Sequence, residues 1–226
     1  MPKISLKGMN LPTSPIRKLT NDAESAKAKG IEVIHLNIGQ PDVRTPKKAL
    51  QAIQTFNEDV LAYGPSEGSL TYREKMCDYY AQHKIDVEPE NILVTTGASE
   101  AIIMTLDCIT NEGDELIIPE PFYANYDTFA AACGVKVVPV PSSIDNDFAL
   151  PDISDISALI NDKTRAIFIC NPNNPTGYVY NQEELSALAD LVKEYDIFLI
   201  VDEVYREFIY DDIEHVSVLP LPGLEE

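Results

Sequence analysis

The sequence predicts an α/β fold, a mostly parallel sheet with helices on both faces, preceded by an N-terminal arm. Three observations predict it. From Asn91 onward, short β-rich runs alternate with stretches of helical periodicity, the rhythm of βαβ units. Gly113, Gly134 and Gly177 fall between those elements, where the chain must turn. One run, Phe198 to Val201, is apolar throughout, as in a strand buried on both faces, yet Asp202 and Glu203 follow it directly. A buried carboxylate is costly unless a cation or a donor meets it, so Asp202 requires a partner.

Taken in order, the first forty residues carry Pro2, Pro12 and Pro15 in a weakly patterned arm, ahead of a helical stretch from Thr20 to Lys29. Strands are read at ILVTT (92–96), ELIIP (115–119), VKVVPV (135–140), AIFIC (166–170) and IFLIV (197–201), short runs rich in β-branched residues. The helices between them are SEAIIMTLDCIT (99–110), YANYDTFAAAC (123–133) and QEELSALADLVKEY (182–195). Asn181, with Glu184 three residues later, predicts a capping box at the start of the last of these. The final breaker is Pro220, Pro222 and Gly223, and no internal repeat or low-complexity run is present.

Composition narrows the partners. At 226 residues, with 45% hydrophobic and 24% charged content, the chain has the profile of a soluble globular protein. Its formal charge of −20 repels phosphate backbones and anionic membrane surfaces, so neither nucleic acid nor a membrane is expected as a partner. Cys77, Cys108, Cys133 and Cys170 form no CxxC pair and read as buried thiols in a reducing compartment. No apolar run has spanning length and the first ten residues lack a secretory apolar block, which makes the cytoplasm the expected location. His35, His83 and His215 lack metal-site spacing, so no metal is expected.

Three constellations carry chemistry. In LVTTGASEAIIM (93–104), small residues open an apolar helix, where backbone N–H groups and the Ser99 hydroxyl can meet an anion; the alternative is an ordinary turn in which Ser99 caps the helix. CNPNNPTG (170–177) cannot continue the preceding strand, because two prolines remove ladder donors. It therefore sets asparagine amides at a strand's carboxyl end, either as a ligand site or as a rigid turn alone. Asp202 and Tyr205 leave another strand end. A carboxylate there can hold a ring nitrogen protonated while a phenol donates to a neighbouring oxygen; the alternative is a capping or salt-bridged Asp beside a core Tyr.

The order of the pieces is more specific than any one of them. LNIGQPD (36–42), AYGPSEGSLTYREKM (62–76), TTGASEAI (95–102), PEPFYANY (119–126), CNPNNPTG and VDEVY (201–205) together resemble the class I and II aminotransferases, the fold-type-I pyridoxal phosphate enzymes. The resemblance runs from about Leu36 to Tyr205. It implies pyridoxal 5'-phosphate as cofactor, an amino acid and a 2-oxo acid as substrates, and a homodimer. It further implies that Gly97, Ala98 and Ser99 hold the cofactor phosphate and that Tyr63 reaches the phosphate in a neighbouring subunit. Tyr123 would stack on the pyridine ring, Asn174 and Tyr205 would bind its phenolic oxygen, and Asp202 would pair with its nitrogen. Ile38 and Gly39 would lie near the substrate carboxylate, with a simple β-turn as the alternative. Cis bonds before Pro121 and Pro175 are also implied.

By the same resemblance, residues 1–45 are an arm with part of a small domain, and residues 46–226 are a C-terminally incomplete large domain. The family's catalytic lysine, which bonds to the cofactor, follows Asp-x-x-Tyr by a few tens of residues. The last lysine here is Lys193, upstream of Asp202, so no catalytic residue of that kind is expected in the chain. The expected reading is the N-terminal portion of an aminotransferase, cut through a domain near Glu226. A non-catalytic short form that binds a phosphate ligand or a partner, and a lyase or decarboxylase of the same fold, are the alternatives.

Overall fold

The run Thr164–Cys170 is apolar after Thr164 and Arg165 and becomes β3, every residue of which except Arg165 is buried. In the computed structural model, which describes residues 2–12, 17–39 and 41–224, β3 lies inside a four-stranded parallel sheet. Its companions are β1 (Glu115–Glu120), β2 (Lys136–Pro141) and β4 (Phe198–Asp202), in the order β2-β1-β3-β4. Parallel neighbours require crossovers, and helices supply them. The chain connects β1 to β2 through α6 (Asn125–Cys133), β2 to β3 through the short α7 (Ile153–Ser157), and β3 to β4 through α8 (Gln182–Tyr195).

Alternation along the strands builds a core on each face of the sheet. Ile117, Ile167 and Ile169 pack with Leu185, Leu188, Leu191 and Val192 of α8. On the other face Leu116, Ile118, Ala166 and Phe168 pack with Tyr126 and Ala130 of α6 and with Ile102 and Leu106 of α5 (Ala98–Ile109). Helices therefore cover both faces, as expected. The capping box forms as well: the Asn181 side chain accepts from the N–H groups of Glu183 and Glu184, and Glu184 accepts from the Asn181 N–H. Gly113, Gly134 and Gly177 all adopt positive φ at turns.

The structure departs from the expected elements in three places. ILVTT (92–96) forms no strand; its backbone N–H groups bond at Ile92 to the Pro89 carbonyl, 3.2 Å, and at Val94 to the Glu67 carbonyl, 3.0 Å, with no ladder among the described residues. A strand needs a partner along its length, and here the neighbour is the loop ending at Gly68. That approach is so close that a Cβ on Gly68 would stand 2.6 Å from the Val94 side chain, and its φ of +95° suits glycine alone. Second, β4 is not buried on both faces: Phe198 is 45% exposed and the rest of the strand is partly buried. The reason is its place at the end of the strand order, with a free outer edge among the described residues. Third, only Cys170 is buried; Cys77 and Cys133 are partly buried and Cys108 is exposed. Cys108 faces outward because the apolar stripe of α5 runs through Ile102 and Leu106 instead.

Ahead of the sheet lie α1 (Leu6–Asn10), α2 (Thr20–Ala28), α3 (Lys47–Gln54) and α4 (Leu70–Gln82), none of which contains a buried residue. Of these, α2 matches the expected helical stretch, and Pro15 of the expected arm lies outside the described residues. Arg73 of α4 donates to the Gly68 and Pro89 carbonyls, tying the helix to the segment that leads into α5.

Candidate cofactor site

The strand order reverses direction between β1 and β3, because the chain runs outward from β1 to β2 and then returns to the far side of β1. In open α/β sheets the crevice outside the carboxyl ends of the strands at such a switch point is where ligands bind. The residues leaving β1 are Pro121, Phe122 and Tyr123, those leaving β3 are Asn171 to Pro175, and those leaving β4 are Asp202 to Tyr205. Topology alone thus gathers three of the expected segments at one end of the sheet.

Asp202 is the last residue of β4 and lies on the same face as Ile200, toward α6. Its Oδ1 accepts from the Val204 N–H at 3.0 Å and its Oδ2 from the Tyr126 hydroxyl at 2.8 Å. Its backbone carbonyl accepts from the Asn171 N–H at 2.9 Å, joining the ends of β3 and β4. Among the described residues no cation pairs with the Asp202 carboxylate. The Tyr126 ring packs against Phe168, with centroids 4.4 Å apart, and meets the Tyr123 ring edge-on at 5.4 Å. Burial, and then the neighbouring Cys170 and Asp202, hold the Tyr126 phenol far above its ordinary value, so it acts as a donor. Burial likewise pushes the Cys170 thiol up to about 11, and its S–H donates to the Pro172 carbonyl.

The three asparagines of CNPNNPTG divide the work. Asn171 is fully buried; its amide donates to the Val216 carbonyl and accepts from the Tyr180 N–H, so that side chain is consumed by structure. Asn173 builds the turn by accepting from the N–H and hydroxyl of Thr176. Asn174 is partly buried and its side-chain amide has no protein partner among the described residues. The bonds before Pro121, Pro172 and Pro175 are cis, two as expected and one in addition.

Gly97 is the N-cap of α5, with φ of +85° and no atom within 4 Å of a would-be Cβ. No side chain caps this helix, which removes the reading of Ser99 as a cap. Ala98 and Ser99 begin the first turn, exposed, where backbone donors lack intrahelical partners. The Glu100 carboxylate takes the Thr96 N–H at 2.5 Å, placing an anion at the same helix end. Gly97, Ala98 and Asp202 line one cavity of about 640 Å³ together with Thr95, Tyr79, Glu203 and Val204.

Other expected residues stand apart. Tyr205 is 37% exposed, its ring set edge-on to Phe208 at 5.8 Å. Tyr63 is fully exposed on the loop between α3 and α4, and Ile38 and Gly39 lie on an exposed bend. Lys193, on α8, pairs with Asp190 and donates to the Pro222 carbonyl, away from the strand ends. Sequence reasoning missed Tyr126 as a separate participant. Its signal was the three-residue spacing from Tyr123 in the turn that leads into α6, where the Tyr126 N–H bonds to the Tyr123 carbonyl.

The donor set suits a flat, anionic, nitrogen-bearing ring. The Asp202 carboxylate and the N-terminus of α5 line one cavity, and Tyr126 bonds to that carboxylate and carries Tyr123 at its edge, while Ser99, Tyr123, Asn174 and Tyr205 do not line the cavity itself. The family model for aminotransferase class I and II matches residues 31–226, and the chain belongs to that family. It is 36% identical over 216 residues to an aspartate aminotransferase of Pyrococcus abyssi and 35% identical to aromatic-amino-acid aminotransferase 2 of Thermococcus litoralis. Each alignment covers 94% of this chain and 54% of the relative. Among solved structures, an alanine aminotransferase from Pyrococcus furiosus superposes with a TM-score of 0.87 at 32% identity, over 96% of this chain and 56% of that one. An aspartate aminotransferase from Thermotoga maritima gives 0.88 at 31%, over 96% and 58%. The chain thus spans about half the length of the relatives it matches.

Proposed function

We propose that this chain is the cofactor-holding portion of a pyridoxal phosphate-dependent aminotransferase, which moves an amino group between an amino acid and a 2-oxo acid. The observation that carries the reading is Asp202, held by Tyr126 and Val204 at the carboxyl end of β4, on the cavity that the N-terminus of α5 also lines. In this reading Asp202 binds the ring nitrogen and keeps its proton in place. Tyr123 stacks on the ring, Asn174 and Tyr205 donate to the phenolic oxygen, and Gly97, Ala98 and Ser99 bind the phosphate. Tyr63 reaches the phosphate of a second subunit, and Ile38 and Gly39 approach the substrate carboxylate. When bound, the cofactor supplies an electron-accepting pyridinium ring. The division into residues 1–45 and 46–226, a homodimer and a cytoplasmic setting belong to the same reading; the exposed Tyr63 and the free thiols support the last two.

Titrating the purified chain with pyridoxal phosphate, followed by absorbance and by borohydride reduction with peptide mapping, tests the proposal. Saturable binding without a specific lysine adduct is expected, because no lysine follows Asp202. Asp202→Ala should weaken binding about tenfold, the worth of one charge-assisted hydrogen bond. A chain that shows no saturable binding would falsify the assignment.

A further inference from the structure

A carboxylate rotates easily about its terminal torsion, so one donor does not fix its plane. The Val204 N–H, two residues along the chain, secures one oxygen of Asp202. The second oxygen is secured from a different element, by a hydroxyl whose own position is set by the core. Tyr126 is 2% exposed, and its ring is held by Phe168 beneath, Phe122 alongside and Tyr123 at its edge. A carboxylate offers about four lone-pair sites, so two remain for a donor arriving from the cavity. The same ring that orients Asp202 also abuts Tyr123, whose hydroxyl is fixed in turn by the Asn125 amide at 2.7 Å.

We propose that Tyr126 is the positioning residue of this site: its hydroxyl sets the plane of the Asp202 carboxylate while its ring sets Tyr123. Recognition of a protonated ring nitrogen therefore depends on a residue that touches neither the ring nor its phosphate. The inference rests on the reading of the site as a pyridoxal phosphate cradle.

The test compares the affinity of the chain for pyridoxal phosphate with its affinity for the 1-deaza analogue, which keeps the phosphate and the ring but lacks the nitrogen. Both affinities are measured for the unaltered chain, Tyr126→Phe, Asp202→Ala and the double variant. The unaltered chain should prefer the nitrogen-bearing ligand by about tenfold, and Tyr126→Phe should reduce that preference to about threefold. In the Asp202→Ala background, Tyr126→Phe should change nothing further, an outcome that a merely structural tyrosine would not give. If the unaltered chain shows the preference and Tyr126→Phe retains it in full, the positioning role is overturned and the cradle stands. If the unaltered chain binds neither ligand, or both equally, the cradle reading fails and this inference fails with it. Should Tyr126→Phe not fold, the slowly exchanging hydroxyl proton of Tyr126 is followed by NMR in the unaltered chain. It should shift on adding pyridoxal phosphate and not on adding the deaza analogue; an unmoved resonance overturns the role.

Discussion

Glu203 follows Asp202 directly but does different work. Its carboxylate pairs with the guanidinium of Arg206, both side chains are nearly buried, and Arg206 lies over the rings of Tyr79 and Tyr80 at 5.8 and 5.0 Å. One oxygen of Glu203 and the Nε of Arg206 have no hydrogen-bond partner among the described residues. Such a pair is worth little against an apolar replacement, but removing one member leaves an uncompensated charge. Arg206→Ala should therefore destabilise the chain by about 3 kcal/mol, while Glu203→Leu with Arg206→Met should cost less than half as much. Urea unfolding midpoints of the two variants separate these outcomes.

His215 offers a second test at the same scale. Its Nε2–H donates to the Asn171 carbonyl, and burial holds its pKa below the ordinary value, with Glu203, Arg206 and His83 as the nearby charges. A base whose folded pKa is depressed binds fewer protons folded than unfolded. Stability from this group is therefore full above the unfolded value of about 6.5 and is lost as pH falls toward the folded one. Chemical denaturation between pH 7.5 and 5 should show a decline that His215→Gln makes shallower; equal slopes would remove His215 as the cause.

At the scale of elements, the start of α5 is the informative one. An anion is favoured at a helix N-terminus, and Glu100 already provides one through its bond to the Thr96 N–H. An arriving phosphate then meets a like charge. Glu100→Gln keeps an acceptor for Thr96 and removes the charge, so pyridoxal phosphate should bind about threefold tighter at low ionic strength. The gain should vanish near 0.5 M salt, as screening requires. Weaker binding in the variant would mean that the Glu100 charge organises the donors rather than opposing the ligand. The helices also show how far local pattern reaches. The capping box at Asn181 was legible because each of its partners lies within three residues. ILVTT was misread as a strand because its composition is that of a strand, whereas strand formation needs a paired neighbour.

At the scale of the molecule, the chain exposes 16180 Å², against roughly 10,000 Å² for a monomeric protein of this mass by the usual scaling. Large apolar side chains stand among the exposed residues, including Leu61, Leu93, Phe198 and Leu219. This agrees with a chain that spans about half the length of its relatives. Isolated, it should raise the fluorescence of an apolar dye such as ANS several-fold more than a compact protein of equal mass. A baseline signal from a chain that sedimentation shows to be monomeric would mean that these surfaces are covered from within.

Local periodicity was enough to read strands β1 to β4, helices α5, α6 and α8, the two-faced cover of the sheet, and the placing of Tyr123, Asn174 and Asp202 near strand or helix ends; the short α7 (Ile153–Ser157) carried no such signal. The sequence by itself also carried the family, through the order of six short motifs. Long-range packing set the strand order β2-β1-β3-β4, the edge position of β4 among the described residues, and the bond between Tyr126 and Asp202 across 76 residues. The reason is physical. Side-chain direction follows from spacing along the chain, but which strands become neighbours is settled by long-range pairing and packing, which no short window of sequence contains.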